Sequence, residues 1–250
     1  MDSIVNFIEE GDKLITLFKE LEEVIRKECN STGIKTEYMN LDSQIRELSK
    51  KNSIVRKYQN ELMIIKQVRN INTHQRNDKY GYVVCPNPDM NLKLKNIIEE
   101  ITNPPTIYNS NMCIKKSNIY CKNLNDYIEP TIKDMVEKIY THIPILENDV
   151  LVGVFSENTL LDIVKNQDGV VITDNTKFIE FADFLKIENH STEEFLFISK
   201  DENIYDVEDR FKDYFNKNKR IGCIYITEHG NKEEKILGML TAWDILGNRK

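Results

Sequence analysis

The chain of 250 residues has no long apolar run, and no stretch approaches the ~18 apolar residues that a membrane-spanning helix needs. Its first ten residues, MDSIVNFIEE, lack the basic and then apolar layout of a signal peptide. We therefore expect a cytoplasmic protein with no membrane partner. Hydrophobic residues still make up 40% of the chain, which is enough for a folded core.

The chain also lacks the paired spacings that are typical of metal sites and disulfide frameworks. Its five cysteines and four histidines are scattered, with no Cys-x-x-Cys and no His-x-x-x-His. An odd number of scattered cysteines does not indicate a disulfide framework. We therefore expect reduced, buried thiols and no metal site.

Acidic and basic side chains are unevenly divided along the chain. Residues 1–103 carry 16 of each, and residues 104–250 carry the remaining 18 basic and 25 acidic side chains. The second part therefore holds the whole net charge of −7, which makes it a poor general binder of nucleic acid. A small anionic ligand can still bind there through backbone amides at a helix start.

Apolar residues recur at helical spacing through three segments of the first part. These segments cover residues 4–25, residues 41–72 and the residues after Asp89, which we expect to cap the last helix. Ser53 marks a break or a new cap within the second segment. The pattern predicts an all-α bundle.

The sequence TNPPT at 102–106 is the best candidate for a domain boundary, because two prolines end a helix and stiffen the residues after it. Beyond this boundary, strand-like runs alternate with helical stretches at 128–140 and 203–216, which is typical of α/β packing. The predicted strands are IYCK, HIPILE, VLVGVF, VVIT, FLFI, IGCIYIT and ILGML.

Two stretches of the second part share one pattern: GVFSENTLLDIV at 153–164 and GMLTAWDIL at 238–246. Each runs from a glycine through two apolar residues to a hydroxyl residue and a helix. The two glycines lie 85 residues apart, and so do the two hydroxyl residues. Duplication of a strand, helix, strand, turn, strand, helix unit predicts two halves that pack about a pseudo-twofold axis.

The pattern around Thr241 has two interpretations. Thr241 can cap a helix that begins at Ala242, with Asp244 reaching back to the amide of the cap residue as in a capping box. Alternatively, Thr241 and Asp244 hold a ligand. The residues alone leave both interpretations open.

The duplicated part resembles a tandem pair of CBS domains, the Bateman module, over about residues 107–247. The resemblance rests on Thr-His-Ile-Pro-Ile-Leu (141–146), Leu-Val-Gly-Val-Phe-Ser (151–156) and Leu-Gly-Met-Leu-Thr-Ala-Trp-Asp-Ile-Leu (237–246). It implies a regulatory module that contacts adenosine nucleotides. In that family the hydroxyl residue faces phosphate, and the aspartate accepts hydrogen bonds from the two ribose hydroxyls.

The resemblance implies which residues bind the ligand. The second copy fits the family pattern fully, with Gly238, Thr241 and Asp244. The first copy keeps Ser156 but carries Thr159 at the acidic position, so its grip on a ribose is lost. We therefore expect one competent site, in the second copy.

Two further candidates come from the same resemblance. His142 stands where the family places a residue near the ligand cleft, and its alternative is a partly exposed histidine at a strand start. Arg220, beside Lys219, can pair with phosphate, and its alternative is a solvated basic turn. The implied ligands are AMP, ADP, ATP or S-adenosylmethionine, and the implied assembly is a homodimer.

In the first part, QVRNINTHQRN resembles the Arg-Asn-x-x-x-His motif of HEPN-like helical domains, some of which are metal-independent ribonucleases acting as dimers. The resemblance implies that His74 is a general acid or base, that Arg69 steadies a phosphate and that Asn70 positions one of the two. Arg69 and His74 would converge where the helix ends, which the polar run after Ile71 predicts. The alternative is a helix-ending cluster that hydrogen-bonds the following loop.

The sequence thus predicts an α+β protein with two domains. The first is a HEPN-like all-α bundle over residues 1–103, and the second is an α/β pair of CBS domains over residues 104–250, with repeats at about 107–168 and 190–250. The expected function is regulatory: the pair senses an adenosyl ligand and controls the helical domain or a partner. The alternatives are a ribonuclease gated by the pair, with RNA as its partner, and an interaction module whose pair is empty.

Overall fold

The computed structural model describes most of the chain, over residues 2–74, 81–166 and 171–247. Three predicted features fall outside the described residues: part of the polar loop at 75–80, the end of the first repeat at 167–168 and the end of the second at 248–250. Within the described ranges, no helix combines the length and the apolar character that crossing a bilayer requires.

The first compact unit is Met1–Pro105. Its described part is built from helices: α1 (Asp2–Ser31), α2 (Leu41–Ser49), α3 (Ser53–His74) and α4 (Pro88–Thr102). Apolar side chains recur every three or four residues along these helices and meet in the core, as Leu14, Phe18, Leu21 and Ile25 of α1 do. The helices lie where the apolar spacing predicts them.

The caps of two helices differ from the prediction. The side chain that caps α4 is Asn87, whose Oδ1 accepts a hydrogen bond from the Asp89 amide at 2.9 Å, and it is not Asp89 itself. The break at Ser53 is confirmed, and there the Oδ1 of Asn52 accepts from the Val55 amide at 3.0 Å. An asparagine supplies the capping oxygen in both cases, which is a common use of that residue.

The second compact unit is Thr106–Lys250. Its strands and helices are β1 (Ile114–Lys115), α5 (Ile128–Lys138), β2 (His142–Glu147), β3 (Val150–Ser156), α6 (Glu157–Asn166), α7 (Ala182–Leu185), β4 (Glu194–Ser199), α8 (Ile204–Asn216), β5 (Ile221–Thr227), β6 (Gly238–Leu240) and α9 (Ala242–Gly247). The runs HIPILE, VLVGVF, FLFI, IGCIYIT and ILGML form β2 to β6, as predicted.

Two other predicted strands are not strands in the described residues. IYCK at 119–122 contributes a single parallel bridge to Ile145. The described part of VVIT is not a strand because Thr173 and Thr176 close a turn, in which the Thr173 amide donates to Thr176 Oγ1 at 2.8 Å. Local side-chain hydrogen bonding outweighs β propensity here.

The described strands form two sheets. In the larger sheet the order is β1, β6, β5, β4; β4 and β5 are parallel, and the other neighbours are antiparallel. The strands β2 and β3 form an antiparallel hairpin of their own. Buried apolar side chains such as Ile143, Phe155, Ile224 and Leu240 fill the core. This topology ends β3 and β6 at helix starts, α6 and α9, where the predicted ligand residues lie.

Candidate functional site

The predicted ligand residues cluster where a strand runs into a helix. We call residues 153–159, between β3 and α6, the first junction, and residues 238–244, between β6 and α9, the second junction. Each begins with a glycine, continues with two apolar residues and reaches a hydroxyl residue directly before the helix. The two junctions differ in the carboxylate that the hydroxyl contacts.

The glycine of each junction lets a neighbouring backbone approach. A Cβ on Gly153 would lie 2.8 Å from the Leu185 carbonyl oxygen. A Cβ on Gly238 would lie 3.0 Å from the Ile114 carbonyl oxygen and 2.6 Å from Cys113 Sγ. These distances crowd any side chain at either position, so packing explains a glycine at Gly238, the predicted ligand residue, without a ligand.

At the second junction, Thr241 and Asp244 cap α9. The Asp244 Oδ2 accepts from the Thr241 amide at 2.7 Å and from the Thr241 hydroxyl at 2.8 Å. The helix begins at Ala242, so the prediction that Asp244 reaches back to the amide of the cap residue is confirmed. Both side chains remain partly exposed. The carboxylate also suits the positive end of a helix.

The charge of Asp244 affects two buried thiols. Burial raises the pKa of the Cys113 thiol, and the negative charge of Asp244 raises it further against a lowering effect of Lys115. Burial also raises the pKa of the Cys223 thiol, again with a contribution from Asp244. Both thiols therefore stay protonated at neutral pH and act as weakly polar packing groups rather than nucleophiles.

Arg220 lies directly before β5 with an exposed side chain. Its carbonyl oxygen accepts from the Glu194 amide at 2.8 Å, and its neighbour Lys219 pairs with the Glu194 carboxylate at 2.5 Å. Among the described residues, no ion pair holds the Arg220 guanidinium. It is therefore available to a ligand, and its role as a phosphate partner stays a prediction.

At the first junction, Ser156 and Thr159 are both buried and cap α6 reciprocally. The Ser156 amide donates to Thr159 Oγ1 at 3.0 Å, and the Thr159 amide donates to Ser156 Oγ at 3.2 Å. Thr159 thus makes the contact with the cap amide that Asp244 makes at the second junction, but it brings no charge.

The carboxylate of the first junction comes from Glu193, 37 residues beyond Ser156. The Ser156 hydroxyl donates to Glu193 Oε1 at 2.8 Å. His142 Nε2 lies 2.9 Å from Oε2, and His190 Nδ1 lies 3.4 Å from Oε1. The Glu193 side chain is 0% exposed and that of His142 is 6% exposed, whereas His142 as a whole residue is partly exposed at the start of β2.

Glu193 is an internal anion. Burial by itself would raise the pKa of the Glu193 carboxyl, but hydrogen bonds from His142, His190 and Ser156 outweigh it and hold that pKa well below its usual value. The carboxylate is therefore ionised at neutral pH. Among the described residues, no group of three or more His, Cys, Asp or Glu side chains is arranged to hold a metal ion.

Glu193 and His190 are the residues of this region that sequence reasoning misses. Nothing local connects Ser156 to a carboxylate so far along the chain. The available signal is indirect: Thr159 replaces an acid in the repeat, so the Ser156 hydroxyl needs a partner from elsewhere. This signal predicts that the Ser156 hydroxyl has an acceptor elsewhere in the chain, but it does not identify that acceptor as Glu193.

In the first unit, Arg69 and His74 do not converge. Arg69 Nη1 donates to Asn70 Oδ1 at 3.2 Å, Nη2 lies 3.5 Å from Glu22 Oε1, and the guanidinium lies 4.8 Å from the centre of the Phe18 ring. The helix α3 runs through the polar residues where the sequence predicts its end, so the two side chains point about 140° apart. His74 is exposed, and no hydrogen bond or ion pair within the described residues joins it to Arg69.

A cavity of about 290 Å³ lies beside β3 in the second unit. Its walls include residues 150–153, Ile187 and Phe197, and the ion pair between Lys232 and Glu188, 3.1 Å long, lies at its edge. None of the six predicted ligand residues lines it. Of the two junctions, the cavity touches only Gly153 of the first, and it adds no support for a ligand at the second junction.

One family model matches part of the second unit: residues 187–249 match the model described as CBS domain. None of the curated proteins compared with the chain matches it. The chain is similar to the structure of CBSX2 in complex with AMP, with 17% identity and a TM-score of 0.38 over 57% of this chain and 94% of that one.

Two further solved structures are similar at the same level. One is a hemolysin-like protein containing CBS domain of Oenococcus oeni, with 13% identity and a TM-score of 0.38 over 58% of this chain and 90% of that one. The other is a functionally unknown conserved protein domain from Neisseria meningitidis, with 12% identity and a TM-score of 0.40 over 74% of this chain and 98% of that one. The residues that match the CBS domain model, 187–249, include the whole second junction.

Proposed function

We propose that the second unit is a regulatory module that binds an adenine nucleotide or a related adenosyl ligand at the second junction. CBS domain proteins are commonly regulatory and nucleotide-sensing, and the family match contains Arg220, Gly238, Thr241 and Asp244. The observation that carries the proposal is the partly exposed Thr241–Asp244 pair within that match. AMP, ADP, ATP and S-adenosylmethionine are the candidate ligands.

Binding would replace the cap by contacts with the ligand. The Asp244 carboxylate has two oxygens, which can accept from the two hydroxyls of a ribose. When the carboxylate turns to the ribose, the Thr241 hydroxyl loses its present acceptor and can donate to a phosphate. The exposed guanidinium of Arg220 supplies the positive charge for that phosphate.

The cap is too weak to prevent this exchange. A capping side chain contributes about 1 kcal/mol, whereas micromolar binding corresponds to about 8 kcal/mol. Loss of the whole cap would therefore weaken the ligand's affinity about fivefold. Breaking the Thr241–Asp244 contact therefore lowers the affinity for the ligand moderately, and binding of the ligand stays strongly favourable.

The first junction would not hold a second nucleotide. Its hydroxyl, Ser156, already donates to Glu193, and Thr159 offers no carboxylate to a ribose. We therefore propose one ligand for each chain. The two halves of the unit would be copies related by a pseudo-twofold axis, of which one copy binds.

The module would act through two states that bind the ligand with different affinity, and would thereby control the HEPN-like helical unit or a partner. Exposed apolar side chains support a homodimer; they lie on three helices of the unit and directly after α5, and they are Val136, Ile139, Leu161, Val164 and Trp243. A ribonuclease in the first unit gains no such support, because Arg69 is held by Glu22 and Phe18.

Thermal unfolding with each candidate ligand tests the proposal. At a hundred times its dissociation constant, the correct ligand should raise the Tm by about 5–10 °C. The Asp244→Asn variant should lose the shift, whereas Asp213→Asn, at an exposed position of α8, should keep it. If none of the four ligands shifts the Tm of the wild-type protein, the nucleotide proposal is wrong and an interaction module with an unoccupied pair is favoured.

A further inference from the structure

Three hydrogen-bond donors converge on one buried point at the first junction. The Ser156 hydroxyl, His142 Nε2 and His190 Nδ1 lie 2.8, 2.9 and 3.4 Å from the two oxygens of Glu193. The side chains of both histidines are more than nine-tenths buried, and Ser156 is 1% exposed. Buried donors that share one target make a position suited to an anion.

The hydrogen bonds of the two histidines fit rings that donate toward this point. The Nδ1 of His142 lies 2.8 Å from the Thr141 hydroxyl, which can donate to it and leave the proton on Nε2, facing Glu193. When His190 donates from Nδ1, its buried Nε2 has no hydrogen-bond partner in the described part of the chain. The ring nitrogens that face Glu193 can therefore both donate toward its carboxylate.

The backbone keeps space for this arrangement. A Cβ on Gly222 of β5 would lie 2.9 Å from His142 Nε2, 2.9 Å from the Phe195 ring and 3.3 Å from Glu193 Oε2. The φ angle of Gly222 is not in the left-handed region, so conformation alone does not demand glycine here. Glycine at position 222 instead leaves the space in which the His142 imidazole contacts the Glu193 carboxylate.

The carboxylate that the three donors contact belongs to a residue far along the chain from the first junction. At the second junction the Thr241 hydroxyl contacts an acid three residues later, in the helix that follows it. At the first junction Thr159 stands at that place, and Glu193, directly before β4, brings the carboxylate from a distant part of the chain. The donors are thus arranged around an anion that the local sequence does not supply.

We infer that the first junction is an anion-binding position which Glu193 keeps filled, and that a small carboxylate from solution binds there when the Glu193 side chain is absent. Glu193 acts as an internal ligand that closes this position against other anions. The inference does not involve Asp244 or a nucleotide, so its failure and the failure of the proposed function are separate results.

Chemical rescue by acetate tests the inference, because Glu193→Ala removes a carboxylate and one methylene group, which the carboxylate and the methyl group of acetate can replace. The variant should have a lower Tm than the wild-type protein, and acetate should raise the variant's Tm by about 3 °C relative to sodium chloride of equal ionic strength. The wild-type Tm should not respond, and Glu193→Ala/Ser156→Ala should respond less than the single variant. Equal responses of wild type and Glu193→Ala, or no response of either, would contradict the inference.

A second pair of variants covers the case in which Glu193→Ala does not fold. Glu193→Gln fills the same volume with one acceptor fewer, and Glu194→Gln makes the same change at the partly exposed neighbour. Glu193→Gln should have the lower Tm of the two and should not respond to acetate, because its amide occupies the position. Equal Tm values for the pair, or an acetate response of Glu193→Gln, would overturn the inference.

Discussion

Both junctions of the second unit contain a hydrogen bond between a hydroxyl and a carboxylate, but the two carboxylates differ in their distance along the chain from the hydroxyl and in their burial. At the second junction, Asp244 of the short helix α9 lies three residues after Thr241, which directly precedes that helix, and both are partly exposed. At the first, Ser156 meets Glu193 from a distant segment, in full burial. When an exposed carboxylate moves away, water can take its place as the hydrogen-bond partner of the hydroxyl. When a buried carboxylate moves away, the donors around it are left without an acceptor. The repeated pattern therefore gives one exchangeable contact and one fixed contact.

Replacing each carboxylate by the corresponding amide should give the largest difference in stability between the two junctions. Glu193→Gln leaves a buried donor without an acceptor and should lower the free energy of unfolding by about 3 kcal/mol. Asp244→Asn alters a partly exposed cap and should lower it by about 1 kcal/mol. Urea unfolding at neutral pH measures both. Equal losses would show that burial does not distinguish the two carboxylates.

Adding one methyl group to each junction glycine gives the next largest effect. Gly153→Ala would press against the Leu185 backbone and should destabilise the protein by about 2–3 kcal/mol. Gly238→Ala first meets the Cys113 side chain, which can shift, and should destabilise it by about 1–2 kcal/mol. The same urea measurement applies. A neutral Gly153→Ala would mean that Leu185 does not crowd β3 in solution.

Acid should reduce the difference between wild type and Glu193→Gln. Because the folded protein holds the pKa of Glu193 below its ordinary value, its stabilising contribution is complete above that ordinary value, about 4.3, and is lost as the pH falls below it. The difference in unfolding free energy should therefore shrink by about 1 kcal/mol per pH unit as the pH falls below about 4.3. Comparing the two proteins cancels the other titrating carboxylates. A difference that grows on acidification would show the opposite direction of the shift.

The features that the sequence predicts well depend on neighbouring residues. The capping of α9 is readable because Thr241 and Asp244 are three residues apart, and β2 to β5 are readable because each is a short apolar run between turns. The positions of the helices in the first unit are predictable for the same reason, since their apolar spacing is regular.

The features that fail depend on tertiary contacts or on competition between side chains. Glu193 belongs to the first junction through folding of distant segments, so no spacing rule finds it. The strand prediction for VVIT fails because Thr173 and Thr176 bond each other, and that for IYCK fails because the run makes one bridge only. Arg69 has the expected sequence neighbours, but Glu22 and Phe18 engage it in the fold.

Ligand stoichiometry is the most direct test of the central claim, that one junction exchanges its partner and the other is closed. Titration calorimetry with the adenosyl ligand that gives the largest thermal shift should show one ligand per chain for the wild type and for Glu193→Gln, and none for Asp244→Asn. Two ligands per wild-type chain, or undiminished binding to Asp244→Asn, would contradict the claim.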